Sequence, residues 1–141
     1  MATRMATTHD GFRVTKSADA LVARAREDIE RVTPERALEC QREGALLVDI
    51  RPAQQRATYG VVPGALIIER NVLEWRLDPT GEHKLPEVTS HEQHVLILCQ
   101  QGYASSLAAA SLAALGFRRP GDVIGGFDAW KDAGLPTQAG A

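Results

Sequence analysis

Val95-Leu-Ile-Leu-Cys99-Gln-Gln-Gly-Tyr-Ala-Ser-Ser-Leu-Ala-Ala-Ala-Ser-Leu-Ala-Ala-Leu115 decides the fold. Val95 to Leu98 is apolar at every position, which reads as a short strand buried on both faces. From Ser105 onward Leu107, Ala110, Ser111, Ala114 and Leu115 recur at helical spacing, and alanine dominates. Ser105 or Ser106 is placed to cap that helix. Cys99 falls between the two elements, at the head of a short loop with Gly102 at its centre. A cysteine at the C-terminal end of a buried strand, just before a helix, turns its sulfur toward backbone N–H groups and the helix N-terminus, which attract negative charge. That setting favours the thiolate, the nucleophilic form. A free cysteine is more often a small hydrophobe closing a core. Here the strand-end position, where open α/β sheets hold ligands, and the glycine loop favour the chemical role.

Working outward, 141 residues suit one domain with a single substantial core. Apolar content of 44% and charged content of 24% are those of a soluble globular protein. A net charge of −2 gives no electrostatic case for nucleic acid. No run approaches the roughly eighteen apolar residues of a membrane span. Met1 to Asp10 lacks the apolar core of a secretory signal. Two cysteines make no disulfide framework, so the expected setting is reducing and cytoplasmic.

Residues 1–16 lack periodicity and read as a flexible tail. Ser17 caps a helix expected to run to Val32, with Leu21, Ala25, Ile29 and Val32 on one face. Thr33-Pro34 opens a second helix that ends at Glu43 before Gly44. Cys40 within it reads as packing, with service as a resolving thiol for Cys99 the alternative. Ala45 to Ile50 is an apolar strand whose end carries Asp49 and Arg51, either an ion pair fixing the corner or, for Arg51, a source of positive potential beside the Cys99 loop. Val61 to Ile68 is a Pro-Gly turn and a further strand, followed by a short helix in which Leu73 and Trp75 are expected to pack. Arg70 and Arg76 are either solvated or bind an anion in a cleft. Residues 79–94 read as a surface loop, and its histidines lack the cysteine spacing of a zinc site, so no metal is expected. Asp122 to Ile124 forms a last strand, Gly125-Gly126 a close turn, and Phe127 to Ala133 a helix anchored by Trp130, before a frayed tail over 137–141. The alternation of strands and helices predicts an α/β domain over 17–136: a mostly parallel central sheet with helices on both faces.

Three separated motifs resemble the rhodanese, or sulfurtransferase, family. They are Leu47-Val-Asp-Ile-Arg51 with Val62-Pro-Gly-Ala65, then Cys99-Gln-Gln-Gly-Tyr-Ala-Ser105, then Gly125-Gly-Phe-Asp-Ala-Trp130 with Ala133-Gly-Leu-Pro136. The likeness runs from Val32 to Pro136 in the family's order and spacing. It implies a single rhodanese-like three-layer sandwich that moves a sulfane sulfur from a donor such as thiosulfate, through a persulfide on Cys99, to a thiophilic acceptor. The acceptor would be cyanide, a thiol or a sulfur-accepting protein. By the same likeness Gln100, Gln101, Gly102, Tyr103, Ala104 and Ser105 form the substrate-binding cradle, and Asp49 and Arg51 match an Asp-x-Arg pair. No metal or organic cofactor, nucleic acid or membrane is implied. N–H groups from Gln101 through Ser105, with a hydroxyl from Ser105 or Ser106, are expected to stabilise the anionic sulfur.

One departure bears on the donor. Thiosulfate-using members commonly carry a cation in the loop, whereas Tyr103 and Ala104 supply none, leaving Arg70 or Arg76 as outside candidates. Phosphatases and arsenate reductases resemble this fold too, but their longer loop ends in an arginine that clamps the oxyanion, where this chain has Ser105. Non-catalytic modules of the family commonly lack the loop cysteine, which is present here.

Overall fold

Val95, Ile97 and Cys99 pack into one hydrophobic core, and Leu96 and Leu98 into another, because successive side chains of a strand leave on opposite faces. The computed structural model describes residues 8–9 and 12–140. In chain order the elements are β1 (Thr8–His9), β2 (Phe12–Arg13), α1 (Ala18–Arg26), β3 (Glu30–Val32), α2 (Pro34–Arg42), β4 (Leu46–Asp49), α3 (Ala53–Tyr59) and β5 (Leu66–Ile67). A 3₁₀ turn over Arg70–Val72 then runs into α4 (Leu73–Leu77), followed by β6 (His94–Leu98), α5 (Ala104–Leu115), β7 (Arg119–Val123) and α6 (Gly126–Asp132).

β3 to β7 form one parallel sheet in the order β3-β7-β6-β4-β5. Residues of α4 and α5 join the core on one face: Leu73, Leu77, Ala108, Ala109 and Leu112. Those of α2 and α6, including Ala37, Cys40, Phe127 and Trp130, join the core on the other. The expected α/β sandwich is therefore present, and no helix among the described residues is long and apolar enough to cross a membrane. After β4 the chain moves outward to β5, and after β6 it returns the other way to β7, so the crossovers diverge between these two central strands. Such a divergence opens a crevice at the carboxyl ends of the strands. Asp49 pairs with Leu98 in the ladder, so Arg51 and Cys99 leave the sheet side by side at that crevice.

Several expectations are corrected. The first helix stops at Arg26, and Glu30–Val32 is a strand pairing with Gly121 to Val123. Leu21, Ala25, Ile29 and Val32 carry helical spacing, but the β7 edge offers Val32 a ladder and a core position that a free-standing helix could not. Trp75 is 61% exposed, whereas its neighbour Leu73 is fully buried. On α5 the buried positions are Ser105, Ser106, Ala108, Ala109 and Leu112, so the recurrence of 107, 110, 111, 114 and 115 marks a helix without marking its core face. That helix is apolar nearly all round, so its periodicity could not choose a side. The expected N-terminal tail lies largely outside the described residues; within it, Thr8–His9 pairs antiparallel with Phe12–Arg13. At the other end Gln138 exchanges two backbone hydrogen bonds with Val61, both 2.9 Å, so part of the expected tail is fixed.

Trp130 holds α6 in place: its ring is fully buried and its Nε1–H donates to the Pro136 carbonyl at 2.8 Å. Trp130→Ala removes both, and is expected to cost about 3–5 kcal/mol. Urea unfolding checks this, with a lower midpoint at an unchanged slope.

Candidate functional site

Cys99 follows the last residue of β6, and its Sγ accepts hydrogen bonds from the backbone N–H groups of Gly102 at 3.1 Å and Ser105 at 3.3 Å. Two of the expected loop donors thus converge on the sulfur, which stands at the crevice with 6% of the residue exposed. Turning N–H groups inward turns carbonyls outward, and each needs its own partner. The Cys99 and Gln100 carbonyls accept from the N–H groups of Phe127 (2.8 Å) and Asp128 (3.0 Å) in the first turn of α6. This contact leaves no room for side chains. A Cβ at Gly126, whose φ is +63°, would stand 2.5 Å from the Cys99 oxygen, and one at Gly102, φ +88°, would stand 2.7 Å from the Gly125 nitrogen.

Ser105 and Ser106 depart from their expected roles. Neither caps α5 nor reaches the sulfur with its hydroxyl. Both are buried in the helix and donate to Oδ2 of Asp122, at 2.7 and 2.8 Å. Asp122 is fully buried on β7 and also accepts from Arg31 Nε at 2.9 Å, across the β3–β7 ladder where the two residues are paired. Arg31 and Arg26 both reach the Gly102 carbonyl, each at 2.9 Å. Sequence reasoning missed all three residues. The signal for Asp122 and Arg31 was a charge of each sign on two strands in register, legible only once Glu30–Val32 is read as a strand.

Asp49 and Arg51 form a fully buried ion pair, with Nη2 to Oδ2 at 2.8 Å. Arg51 also donates to the Gly60 carbonyl at 2.7 Å and to Gln100 Oε1 at 2.9 Å, and its guanidinium stacks 4.1 Å from the centre of the Phe127 ring. Each nitrogen of its guanidinium thus has a partner inside the protein. The structure shows the ion pair that fixes the corner, and Arg51 also stands beside the Cys99 loop, in the wall of the cavity that opens above it. Gln100 is held similarly, its Nε2 donating to Asp128 Oδ1 at 2.6 Å.

Above Cys99 opens a cavity of about 720 Å³, walled by Ile50, Arg51, Pro52, Tyr59 and Arg70 as well as Gln100, Gln101, Tyr103 and Ala104 of the loop. Tyr103 is 59% exposed at its mouth. The structure brings Arg70 to this cavity but not Arg76, which donates to the His83 carbonyl at 2.6 Å. Arg70 is itself paired with Glu74, at 3.0 and 3.1 Å. Burial raises the Glu74 carboxyl, but the Ser111 hydroxyl, its own backbone N–H and Arg70 outweigh that and hold it below the usual range. Cys40 lies in the core on the opposite face of the sheet from Cys99, and burial pushes its thiol up despite Arg36. The structure therefore does not bring the two cysteines together as an exchanging pair.

Comparison with known proteins gives a consistent picture. The model of the rhodanese-like domain family matches residues 33–133. Thiosulfate sulfurtransferase GlpE of Actinobacillus succinogenes is 33% identical over 108 residues, which are 76% of this chain and 88% of that protein. Among solved structures, a protein of unknown function from Rhodopseudomonas palustris CGA009, described as a possible tyrosine phosphatase, matches with a TM-score of 0.79 at 28% identity, over 90% of this chain and 98% of that one. The polysulfide-sulfur transferase homodimer of Wolinella succinogenes matches with a TM-score of 0.71 at 25% identity, over 86% of each chain.

Two outcomes follow from this geometry. Gly102→Ala forces a left-handed residue and a backbone clash together, and is expected to destabilise the protein by about 2 kcal/mol or more; the melting temperature and Cys99 alkylation rate both report it. Glu74 binds its proton less readily folded than unfolded. Its stabilising contribution is therefore complete above about pH 5 and declines as the pH falls through the carboxylate range. The difference in melting temperature between the parent and Glu74→Gln should accordingly shrink from neutral pH to about pH 3.5.

Proposed function

The chain belongs to the rhodanese-like domain family, and with that membership as premise we propose that it is a sulfurtransferase carrying a sulfane sulfur as a persulfide on Cys99. The observation that carries this reading is the convergence of two backbone N–H groups on Cys99 Sγ at the floor of an open cavity. In the first step the Cys99 thiolate attacks the outer sulfur of thiosulfate. A sulfur–sulfur bond forms to Cys99, the bond to the sulfonate sulfur breaks, and sulfite leaves with the electron pair. In the second step cyanide or a thiolate attacks the outer sulfur of the persulfide, and the thiolate returns. Thiolate and persulfide are both anions, so inward N–H groups of the one loop serve each state without rearrangement. No general base, metal or organic cofactor is required by this chemistry. Two free cysteines fit a reducing, cytoplasmic setting.

Within this reading the loop amides, Gln101 and Tyr103 at the rim, and Arg70 in the wall meet the donor and acceptor, while Asp49, Arg51 and Gln100 hold the loop. A specific observation favours a second reading, that of a carrier serving a protein acceptor. The loop offers no cationic side chain for a departing sulfonate, and the two arginines in the wall, Arg51 and Arg70, are already paired with Asp49 and Glu74. The phosphatase reading is disfavoured by the same loop: where an arginine would clamp phosphate there is Ser105, its hydroxyl bound to Asp122.

Intact mass after incubation with thiosulfate decides among these. The parent is expected to gain one sulfur atom, to lose it to cyanide, and to gain none as Cys99→Ala. Loading by polysulfide alone would select the carrier; no loading by any donor would overturn sulfur transfer.

A further inference from the structure

The Gly102 carbonyl accepts from two guanidinium groups at once, Arg26 Nη2 and Arg31 Nη2, each at 2.9 Å. Two charge-assisted bonds fill both lone pairs of one oxygen. Both arginines precede the residues that the family model matches, 33–133. They are fixed in turn: Arg26 Nε donates to Ser106 Oγ at 3.0 Å and its guanidinium lies 5.5 Å from the centre of the Tyr103 ring, while Arg31 pairs with Asp122. In this group two guanidinium charges stand against one buried carboxylate, and neither arginine lines the cavity.

In a trans peptide the N–H points opposite to the C=O. The two arginines therefore aim the Tyr103 N–H away from themselves and into the loop, where the Gly102 and Ser105 N–H groups already meet Cys99 Sγ. Among the described residues the Tyr103 N–H has no acceptor. We infer that Arg26 and Arg31 are positioning residues for the sulfur-loaded state, holding the Gly102–Tyr103 peptide so that its N–H is kept for the outer sulfur of a persulfide. Charged donors on the carbonyl also polarise that peptide and strengthen its N–H as a donor. The resting Sγ has its own two donors and does not use this one. This inference rests on the reading of Cys99 as a sulfur carrier.

The distinction between the two states supplies the test. Loading exchanges one anion for another: Cys99 thiolate and thiosulfate give Cys99 persulfide and sulfite, with no proton gained or lost. A structural effect common to both protein states cancels from that equilibrium, whereas an effect on the outer sulfur does not. The parent, Arg26→Met, Arg26→Lys and Arg31→Met are brought to equilibrium at fixed thiosulfate-to-sulfite ratios, and the loaded fraction is read by intact mass. Thermal melting confirms that each variant is folded, and alkylation of the unloaded protein by iodoacetamide at neutral pH reports the resting thiolate.

The loading constant is expected to fall about tenfold in each methionine variant, less than the hundredfold or more that deleting a donor outright costs. Lysine at position 26 restores most of the loss, and unloaded alkylation changes by no more than about threefold. Arg31→Met also takes a partner from Asp122, so if it fails to fold the decision falls to Arg26→Met, whose arginine forms no ion pair with that carboxylate. Equal loading constants in the parent and Arg26→Met overturn the inference and leave sulfur carriage standing. A parent that takes up no sulfur overturns sulfur carriage and the inference with it.

Discussion

Backbone dipoles cannot be turned one end at a time. A loop that directs several N–H groups at one sulfur must direct carbonyls elsewhere, and in a buried corner each of those carbonyls requires a donor. The surroundings of Cys99 follow from that constraint. The first turn of α6 answers the carbonyls of Cys99 and Gln100, and two arginines answer that of Gly102. The glycines at 102 and 126 exist where they do because the loop must come within touching distance of α6 for those bonds to form. The Asp49–Arg51 pair belongs to the same system, since Arg51 and Asp128 hold Gln100 from its two ends.

The polar groups that build the corner are buried, which makes them costly unless they are joined. They are joined in two separate sets. On the β4 side Asp49, Arg51, Gly60 and Gln100 close one set under the Phe127 ring. On the β7 side Asp122 gathers Ser105, Ser106 and Arg31. The loop lies between them, and the side chains of Gln101, Tyr103 and Ala104 are left to shape the rim of the cavity. The backbone meets the sulfur, and the side chains supply the stiffness.

Much of this was legible in the sequence, and the parts that were not share a cause. Val95 to Leu98 announced a buried strand because an all-apolar run has few other uses, and Cys99 stood out because it ends that run beside glycine. Pro34 and Gly44 bracketed a helix by backbone geometry alone. Asp49 and Arg51 were visible as a charged pair at a strand end, although only the fold decides which way a guanidinium points. Glu30–Val32 was hidden because three residues are too few to show a period of two, and their one apolar member, Val32, continues the helical spacing of α1. With that strand unread, Arg31 had no neighbour, Asp122 had no partner, and the hydroxyls of Ser105 and Ser106 were assigned to the sulfur for want of another acceptor. One short edge strand concealed half the site's support. Trp75 was misplaced for the opposite reason: a large apolar residue in a short helix satisfies a packing pattern without being obliged to pack.

The all-parallel order of the sheet has a consequence for the time course of folding. Parallel neighbours pair only across long connections, so their contacts form late. The loop that follows Cys99 borrows from Arg26 and Arg31 before it and from Asp122, Phe127 and Asp128 well after it, spanning most of the chain. A nascent chain that has not yet delivered Asp128 contains the cysteine but not the corner around it. The thiol travels through synthesis as an ordinary side chain, and the donors that meet its sulfur assemble only with the finished domain.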